Sequence, residues 1–209
     1  VPADFTATTA TGIMFGDQYF KAIGDNNYAN LIGNPTGFIF NTNNPGSIIN
    51  TGDLTVNENN NLSLSGGTVI STGNLTANNG NLNIVTVPES SKIILSQPGQ
   101  ILSLEINIPS SESGNPLNIT PLDLPELLTG SQGIIETQGI EINSSENVAL
   151  TSSGTIIETG DIVLNQANTN NIYVNADQNL TLIESQLNAT NNLNLLAKDT
   201  VYIRDSLTN

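Results

Sequence analysis

The chain of 209 residues carries four Lys and Arg against nineteen Asp and Glu, which gives a formal net charge of −15 and a sequence pI near 4.1. Nucleic acids and anionic membranes are bound through clustered Lys and Arg, so this composition excludes a nucleic-acid partner and disfavours an anionic membrane surface. The chain has no Cys and no His. Thiolate nucleophiles, Ser-His-Asp triads and imidazole or thiolate metal sites are therefore excluded as well.

The remaining composition is typical of an all-β protein. Asn is the most frequent residue, hydrophobic residues make up 37% of the chain and aromatic residues only 4%. Abundant β-branched and turn-forming residues favour strands over helices. The absence of Cys fits both a reducing cytosol and a secreted chain that crosses an outer membrane unfolded. Because the sequence begins at Val1 without a signal peptide, we expect it to be a processed form or a piece of a longer protein.

Residues 1–46 form a predicted irregular β segment that continues into the repeats after it. The segment contains all five Phe and two of the four Tyr of the chain. Turn sequences at 34–37 and 44–46 frame the apolar run Phe38-Ile39-Phe40. Their Pro and Gly residues interrupt regular strand pairing, so we expect this segment to be less regular than the rest.

Residues 47–104 contain an internal repeat. TGDLTVNENNNLSL at 51–64 and TGNLTANNGNLNI at 72–84 superpose at an offset of 21 with one deletion. Within each repeat, short apolar pairs alternate with polar residues between Gly, Asn, Asp or Ser, which is the pattern of a strand. We predict that Leu54 and Leu75 form one inward-facing pair on neighbouring repeats, and Leu62 and Leu82 another.

Three short strands in each period of about 21 to 22 residues predict a parallel β-helix. Strands this short cannot span a sandwich, but each can form one side of a coil that stacks on the next at about 4.8 Å. Asn residues cluster where the coils turn, and they suit left-handed turns and stacked amide ladders. A leucine-rich repeat is the alternative, but its consensus LxxLxLxxN is matched only in fragments. The clustered residues are Asn57, Asn59, Asn60, Asn61, Asn78, Asn79 and Asn81.

Residues 105–133 are expected to leave the helix as a Pro-rich excursion. They carry four prolines, which cannot donate to a strand ladder. One short helix is predicted at 122–128. Thr120 would cap it, Pro121 would stand at its first turn, and Gly130 would lie just past its end. We predict that β-helix coils resume over 134–209. In this segment IIETQGIEIN at 134–143 is repeated as IIETGDIVLN at 156–165. This offset of 22 predicts a third inward pair, Ile140 with Ile162.

A family resemblance rests on the order and spacing of seven segments. Together they resemble the later part of the secretion domain and the first repeats of filamentous-haemagglutinin-like proteins, the passengers of two-partner secretion, of the cyanobacterial type. The resemblance implies a right-handed parallel β-helix, an outer-membrane transporter as partner, and a secreted, extracellular or cell-surface location. The segments are ADFTAT at 3–8, GIMFG at 12–16, NLIGNPTGFIF at 30–40, NPGSIINTGDLTV at 44–56, NNLSLSGGTVISTGNLTANNGNLNI at 60–84, LSQPGQILSLEI at 95–106 and ITPLDLPELLTG at 119–130.

Pairs of carboxylates are candidate catalytic sites because some β-helix proteins are enzymes that cleave polysaccharides. Hydrolysis requires two carboxylates that face one another. Asp53 aligns with Asn74 and so lacks a partner, whereas Glu136 aligns with Glu158 on the predicted neighbouring coil. Lyase chemistry requires a cationic cleft, which four scattered cations do not favour. We predict no enzyme activity; the four cations are Lys21, Lys92, Lys198 and Arg204.

The sequence matches calcium-binding and N-glycosylation motifs only weakly. The loop Asp25-Asn26-Asn27 offers oxygen ligands but lacks the order and the bidentate Glu of a calcium loop, so we interpret it as a solvated turn. Asn-x-Ser/Thr triplets arise by chance in so Asn-rich a chain. We predict no catalytic, cofactor or metal site. The triplets begin at Asn61, Asn74, Asn118, Asn143, Asn179 and Asn188.

The expected function is a secreted structural or adhesive β-helix module, part of a surface fibre, with an unidentified receptor or polysaccharide as ligand. An alternative is an extracellular filament subunit that assembles head to tail as a homo-oligomer, because an uncapped coil presents unpaired main-chain groups. A polysaccharide-active enzyme is the third and least favoured possibility.

Overall fold

The computed structural model describes residues 1–87, 89–95, 103–105, 140–142, 148–150, 156–204 and 207–208. These residues are mostly β, as predicted, with one 3-10 turn at Tyr28–Asn30. Within them, ten strands form one large sheet in which every pairing is parallel. The ten are β1 (Phe5–Thr8), β5 (Ser47–Asn50), β6 (Leu54–Val56), β7 (Leu62–Gly66), β8 (Thr68–Thr86), β13 (Ile162–Ala176), β14 (Asn179–Ile183), β15 (Gln186–Ala197), β16 (Thr200–Arg204) and β17 (Leu207–Thr208).

The predicted repeat of residues 51–64 at 72–84 is confirmed by the strand register. Strands β5, β6 and β7 pair with three successive parts of β8, and this places Leu54 beside Leu75 and Leu62 beside Leu82. Leu62, Leu75 and Leu82 are buried in one apolar cluster, and Leu54 packs against it. Both predicted pairs are therefore correct.

The third predicted pair, Ile140 with Ile162, is wrong. Ile140 lies opposite Leu150 in an antiparallel hairpin of β11 (Ile140–Ile142) and β12 (Val148–Leu150). Ile162 instead lies between Val69 of β8 and Leu180 of β14. Alternating apolar residues report that one face of a strand is buried, but they do not report which strand is its neighbour. The offset of 22 thus reflects two similar strands that are not paired with each other.

A second sheet of five strands is antiparallel. It pairs strands of the 1–46 segment with strands that were assigned to coils of the 47–104 segment. Among the described residues, parallel pairing in the large sheet ends at Thr86 and resumes at Ile162. The Pro-rich excursion over 105–133 stays a prediction. The predicted helix at 122–128 lies outside the described residues. The sheet contains β2 (Gly12–Phe15), β3 (Gln18–Lys21), β4 (Gly37–Phe40), β9 (Ser91–Ile94) and β10 (Ser103–Glu105).

Burial of the aromatic residues explains why the chain forms this second sheet. Phe38 and Phe40 of β4 pack with Ile93 of β9 against Val85 and Val87 at the end of β8. A Cβ atom at position 37 would lie 2.5 Å from the carbonyl oxygen of Ile93, so this close antiparallel approach requires the glycine found there. No helix of the described residues is long and apolar enough to cross a membrane.

The main core lies on the inner side of the parallel sheet. Its members come from all the long parallel strands and are almost fully buried, which is the arrangement that stacked inward columns produce. Burial of aliphatic side chains is the dominant stabilising contribution in such a core. The buried members include Leu62, Leu64, Val69, Leu75, Leu82, Ile84, Ile162, Leu164, Ile172, Leu180, Leu182 and Leu187.

Candidate functional site

A ladder of polar side chains crosses the parallel sheet where its strands turn. Asn81 Nδ2 donates to Asn61 Oδ1 at 2.6 Å, Asn171 Nδ2 to Asn81 Oδ1 at 2.8 Å, and Asn192 Nδ2 to Asn171 Oδ1 at 2.8 Å. At its other end, the carboxylate of Asp4 accepts the backbone N–H of Asn61 at 2.7 Å and its Nδ2 at 3.4 Å. The predicted stacking of turn asparagines is confirmed for Asn61 and Asn81. We call these five residues the amide ladder.

A second line of contacts joins the strand ends. The N–H of Gly160 donates to the carbonyl of Gly67 at 2.6 Å, and the carbonyl of Gly160 accepts the Thr86 hydroxyl, also at 2.6 Å. Gly67 precedes β8 and Thr86 ends it, so the two ends of this 19-residue strand meet at one residue. The same Thr86 oxygen accepts the N–H of Asp177 at 3.0 Å.

Two outer sides of the parallel sheet are covered. Val148 and Leu150 of the hairpin pack on Ile70 and Val163. The antiparallel sheet packs on Val85 and Val87, as described above. In both places, apolar residues of the covering strands pack on apolar side chains that point outward from the parallel strands. These two sides are therefore occupied within the chain.

A further part of the outer surface of the parallel sheet is polar in the described residues. Its outward residues form two adjacent columns in register across β8, β13 and β15. Thr55 of β6 extends the first column in register, and Asp53 extends the second through its hydrogen bond to Asn74. Six of these side chains line a shallow depression of about 100 Å³ over the buried Leu75 and Ala167. Amides and hydroxyls at the regular spacing of parallel strands offer a repeating set of hydrogen-bond donors and acceptors. We call this side the polar face; its columns are Thr55, Thr76, Asn168 and Asn188, and Asp53, Asn74, Gln166 and Gln186.

The candidate carboxylates do not form a facing pair within the described residues. Asp53 Oδ1 accepts a hydrogen bond from its column neighbour Asn74 Nδ2 at 2.5 Å, and that neighbour is an amide, as the sequence comparison predicted. Glu158 is exposed, and its backbone N–H donates to Asp161 Oδ2 at 2.9 Å while its carbonyl accepts the Thr68 hydroxyl at 3.1 Å. Glu136 lies outside the described residues. The stacking of Glu136 on Glu158 stays a prediction.

Three of the four cations lie on different strands, and Lys198 lies between β15 and β16. Lys21 of β3 lies 5.9 Å from the centre of the Tyr19 ring, and Lys92 lies on β9 of the same antiparallel sheet. Lys198 Nζ is 3.9 Å from Asp177 Oδ2, and Arg204 ends β16. Two cations thus belong to the antiparallel sheet, one to the parallel sheet and one to the turn before β16.

The Asp25-Asn26-Asn27 loop has a structural explanation. The side chain of Asn26 accepts the backbone N–H of Lys21 at 2.7 Å and donates to the Lys21 carbonyl at 2.9 Å. These bonds close the turn that follows β3. The part of the chain that the structure describes holds no group of three acidic residues placed to bind a metal ion.

Several asparagines of the Asn-x-Ser/Thr triplets make hydrogen bonds within the fold. Asn61 belongs to the amide ladder, Asn74 bonds to Asp53, and Asn179 Nδ2 donates to Asp161 Oδ1 at 3.0 Å. Asn188 lines the polar face. Asn118 and Asn143 lie outside the described residues.

Two buried acids were not singled out by the sequence pattern. Asp161 is 6% exposed, and its carboxylate accepts hydrogen bonds from the backbone of Glu158 and from both the backbone and side chain of Asn179. Asp177 is 7% exposed, and burial raises its pKa although the Lys198 ammonium partly opposes the shift. The Gly-Asp step before β13 and the Asp-Gln step after it resemble ordinary turn sequences, so local sequence alone does not reveal that both carboxylates become buried.

No family model, curated protein or solved structure matches this chain. The amide ladder, the polar face and the strand register therefore carry the functional argument.

Proposed function

We propose that the chain is a right-handed parallel β-helix that serves as a structural and adhesive module on the outside of the cell. It would form part of a filamentous-haemagglutinin-like surface protein that is exported by two-partner secretion through an outer-membrane transporter. The role requires a rigid, regular rod with an accessible side that can bind other surfaces. Three observations support it.

The meeting of the two ends of β8 at Gly160 is the observation that carries the proposal. A straight strand of 19 residues would separate its ends by roughly 60 Å. Here Gly67 and Thr86 both hydrogen-bond to Gly160, which is the expected contact of a chain that completes one coil and starts the next. The same argument applies to β13, because Gly160 and Asp177 at its two ends both contact Thr86.

Column stacking supports a rod built of such coils. Val69, Ile162 and Leu180 follow one another in register, as do Leu82, Ile172 and Leu193. Each coil buries its apolar residues only when another coil lies above or below, so stability depends on stacking. This dependence is typical of repeat proteins, in which the number of repeats can vary while the structure of each repeat stays the same.

The polar face supports the adhesive part of the proposal. Its amides and hydroxyls can bind the hydroxyl groups of a cell-surface polysaccharide, and its paucity of cations disfavours strongly acidic polymers. The depression over Leu75 and Ala167 gives this face a binding surface that is shallow and extended, which suits a polymer better than a small molecule.

Surface location is tested on the bacterium that produces the chain. An antibody against residues 1–87 should label intact cells, and external protease should remove the signal. Deletion of the outer-membrane transporter should abolish labelling without reducing total synthesis. Recovery of the chain in the cytoplasmic fraction of cells with an intact transporter would overturn the proposed location.

Adhesion is tested by binding the labelled chain to an array of neutral and acidic polysaccharides. The double variant Thr76→Glu with Asn168→Glu places two charges on the polar face and should lose binding. A matched control, Asn41→Glu with Asn43→Glu, adds the same charges at exposed positions outside that face and should retain binding. Equal loss in both variants would mean that the polar face is not the binding surface.

A further inference from the structure

Four amide side chains of the polar face are not used by the fold. Among the described residues they have no side-chain hydrogen-bond partner, whereas each asparagine of the amide ladder bonds to a neighbouring strand. Three of the four are exposed and the fourth is half-buried. Each amide carries two N–H donors and an acceptor oxygen, so the face offers groups that can bind a ligand. The four are Gln166, Asn168, Gln186 and Asn188.

The same face is uncharged in a strongly acidic chain. The described residues that line its depression include no charged side chain, although the formal net charge of the chain is −15. Asp53 stands at one end of the second column and already accepts a hydrogen bond from Asn74. A polyanion would be repelled by the chain as a whole, and a polycation would find no carboxylate in the depression. The ligand that matches this face is therefore uncharged.

The polar face is narrow along each strand and longer across the strands. Strand β13 contributes Gln166 and Asn168 to the depression, and alternate residues of a strand lie about 6.6 Å apart. Across the strands, the register runs from Asn74 through Gln166 to Gln186, with a step of about 4.8 Å. A polymer that lies across the strands thus reaches more of the free amides than one that lies along a single strand.

The free amides are suited to sugar hydroxyls. An amide presents a donor and an acceptor side by side, and two neighbouring hydroxyls of a sugar ring present the complementary pair. The described residues that line the depression include no aromatic side chain on which a ring could stack. Each contact is therefore weak, and useful affinity requires repetition of the contact along a polymer.

We propose that the polar face binds an uncharged linear glycan that lies across the strands, with roughly one sugar unit over each strand. This inference rests on the adhesive function proposed above and adds the charge, the hydroxyl chemistry and the direction of the ligand. A second copy of the chain is not the occupant, because it would bring a further net charge of −15 to the same surface and be repelled.

Ligand chemistry is tested by titrating the complete chain with soluble linear oligomers of glucose, mannose and galactose. Proton–nitrogen NMR spectra report the side-chain amides directly. The signals of Gln166, Asn168 and Gln186 should shift with at least one native oligomer, while those of Asn81 and Asn171, which are bonded in the amide ladder, should stay in place. Full O-methylation of the oligomer removes its donors, and carboxymethylation adds negative charge. Each modification should weaken binding by roughly tenfold or more.

Direction is tested by removing the amides of one strand at a time. Gln166→Ala with Asn168→Ala removes those of β13, and Gln186→Ala with Asn188→Ala removes those of β15. A glycan that lies across the strands contacts both pairs, so each double variant should weaken binding of a long oligomer by roughly fivefold to tenfold. Affinity for the natural chain should also rise with oligomer length until the ligand spans the face.

A matched control separates loss of the face from loss of surface amides in general. Asn41→Ala with Asn43→Ala truncates two exposed side chains outside the polar face and should leave binding unchanged. If an alanine variant of the face lowers the Tm, Val at the same positions supplies strand propensity without a hydrogen-bonding group.

Several results would overturn the inference. They are absence of binding to every native oligomer, equal binding of native and carboxymethylated forms, loss of binding in only one of the two double variants, and affinity that does not depend on length. Self-association of the natural chain that both double variants abolish would assign the face to a second copy and also overturn it. The adhesive function is judged separately on the polysaccharide array: binding of any polymer sustains it, and absence of all binding overturns it.

Discussion

The Asn171 amide donates to the Asn81 oxygen at 2.8 Å, although 90 residues separate the two along the chain. The bond continues a ladder that Asn61 and Asn81 begin within one repeat. The side-chain order of the ladder therefore continues directly from β8 to β13. The contact also shows that β13 takes the place that a directly following repeat would occupy.

Asn81 should contribute measurably to stability because it both donates and accepts within the ladder. Asn81→Asp keeps the acceptor for Asn171 but loses the donor to Asn61, and we expect a loss of about 1–3 kcal/mol in the free energy of unfolding. Urea denaturation measures the change. Asn168→Asp adds the same charge on the exposed polar face and should stay within about 0.5 kcal/mol of the natural chain. Equal effects at both positions would contradict a role for the ladder.

A substitution at Leu62 tests which side of β7 faces the core. The side chain is fully buried in the main core, so Leu62→Asp would bury an unpaired charge and should cost about 3 kcal/mol or more, or prevent folding. Ser63→Asp introduces the same charge one residue later, on the opposite side of the strand, and should be tolerated. Thermal unfolding followed by circular dichroism compares the two variants. Equal stability of Leu62→Asp and Ser63→Asp would reverse the assignment of inner and outer sides.

Gly80 should not tolerate a side chain. A Cβ atom there would clash with the backbone carbonyl of Asn60, which lies between β6 and β7. We expect Gly80→Ala to cost about 1–3 kcal/mol because the backbone must move. Gly52→Ala is the matched control, since nothing lies within 4 Å of a Cβ atom at that position. Denaturant midpoints should fall for the first variant and change little for the second.

Asp177 should make stability depend on pH in the acidic range. Burial raises its pKa above the value of 3.8 that an unperturbed Asp carries. The folded chain then binds the proton more tightly than the unfolded chain, so this group's contribution to stability falls as pH rises through the raised pKa. Asp177→Asn should flatten that dependence. Lys198→Gln removes the cation that opposes the shift and should steepen it; a flatter curve would contradict this assignment.

The purified chain should neither cleave nor modify neutral or acidic polysaccharides. The chain has no His or Cys, and the described carboxylate Asp53 faces an amide where a hydrolase would need a second carboxylate. Product analysis by chromatography after prolonged incubation checks the prediction. Turnover that survives purification and disappears in Glu136→Gln or Glu158→Gln would refute it.

The sequence by itself determined the local elements and the first neighbouring repeats. Apolar alternation placed the strands, and the offset of 21 between residues 51–64 and 72–84 identified Leu54 with Leu75 and Leu62 with Leu82 as neighbours. These predictions succeeded because the repeats are adjacent in the chain, so the shortest connection is also the one that pairs them. Stacking of Asn61 and Asn81 was predictable for the same reason.

Only the tertiary structure decided which distant strands are neighbours. Ile162 stacks on Val69 and not on Ile140, because Ile140 belongs to the antiparallel β11–β12 hairpin, whose strand β12 packs on Ile70 and Val163. An alternating pattern fixes which residues of a strand are buried, but the same burial is supplied equally well by a parallel neighbour or by a hairpin partner. The choice between them depends on contacts made across the whole fold, and no local sequence pattern encodes those contacts.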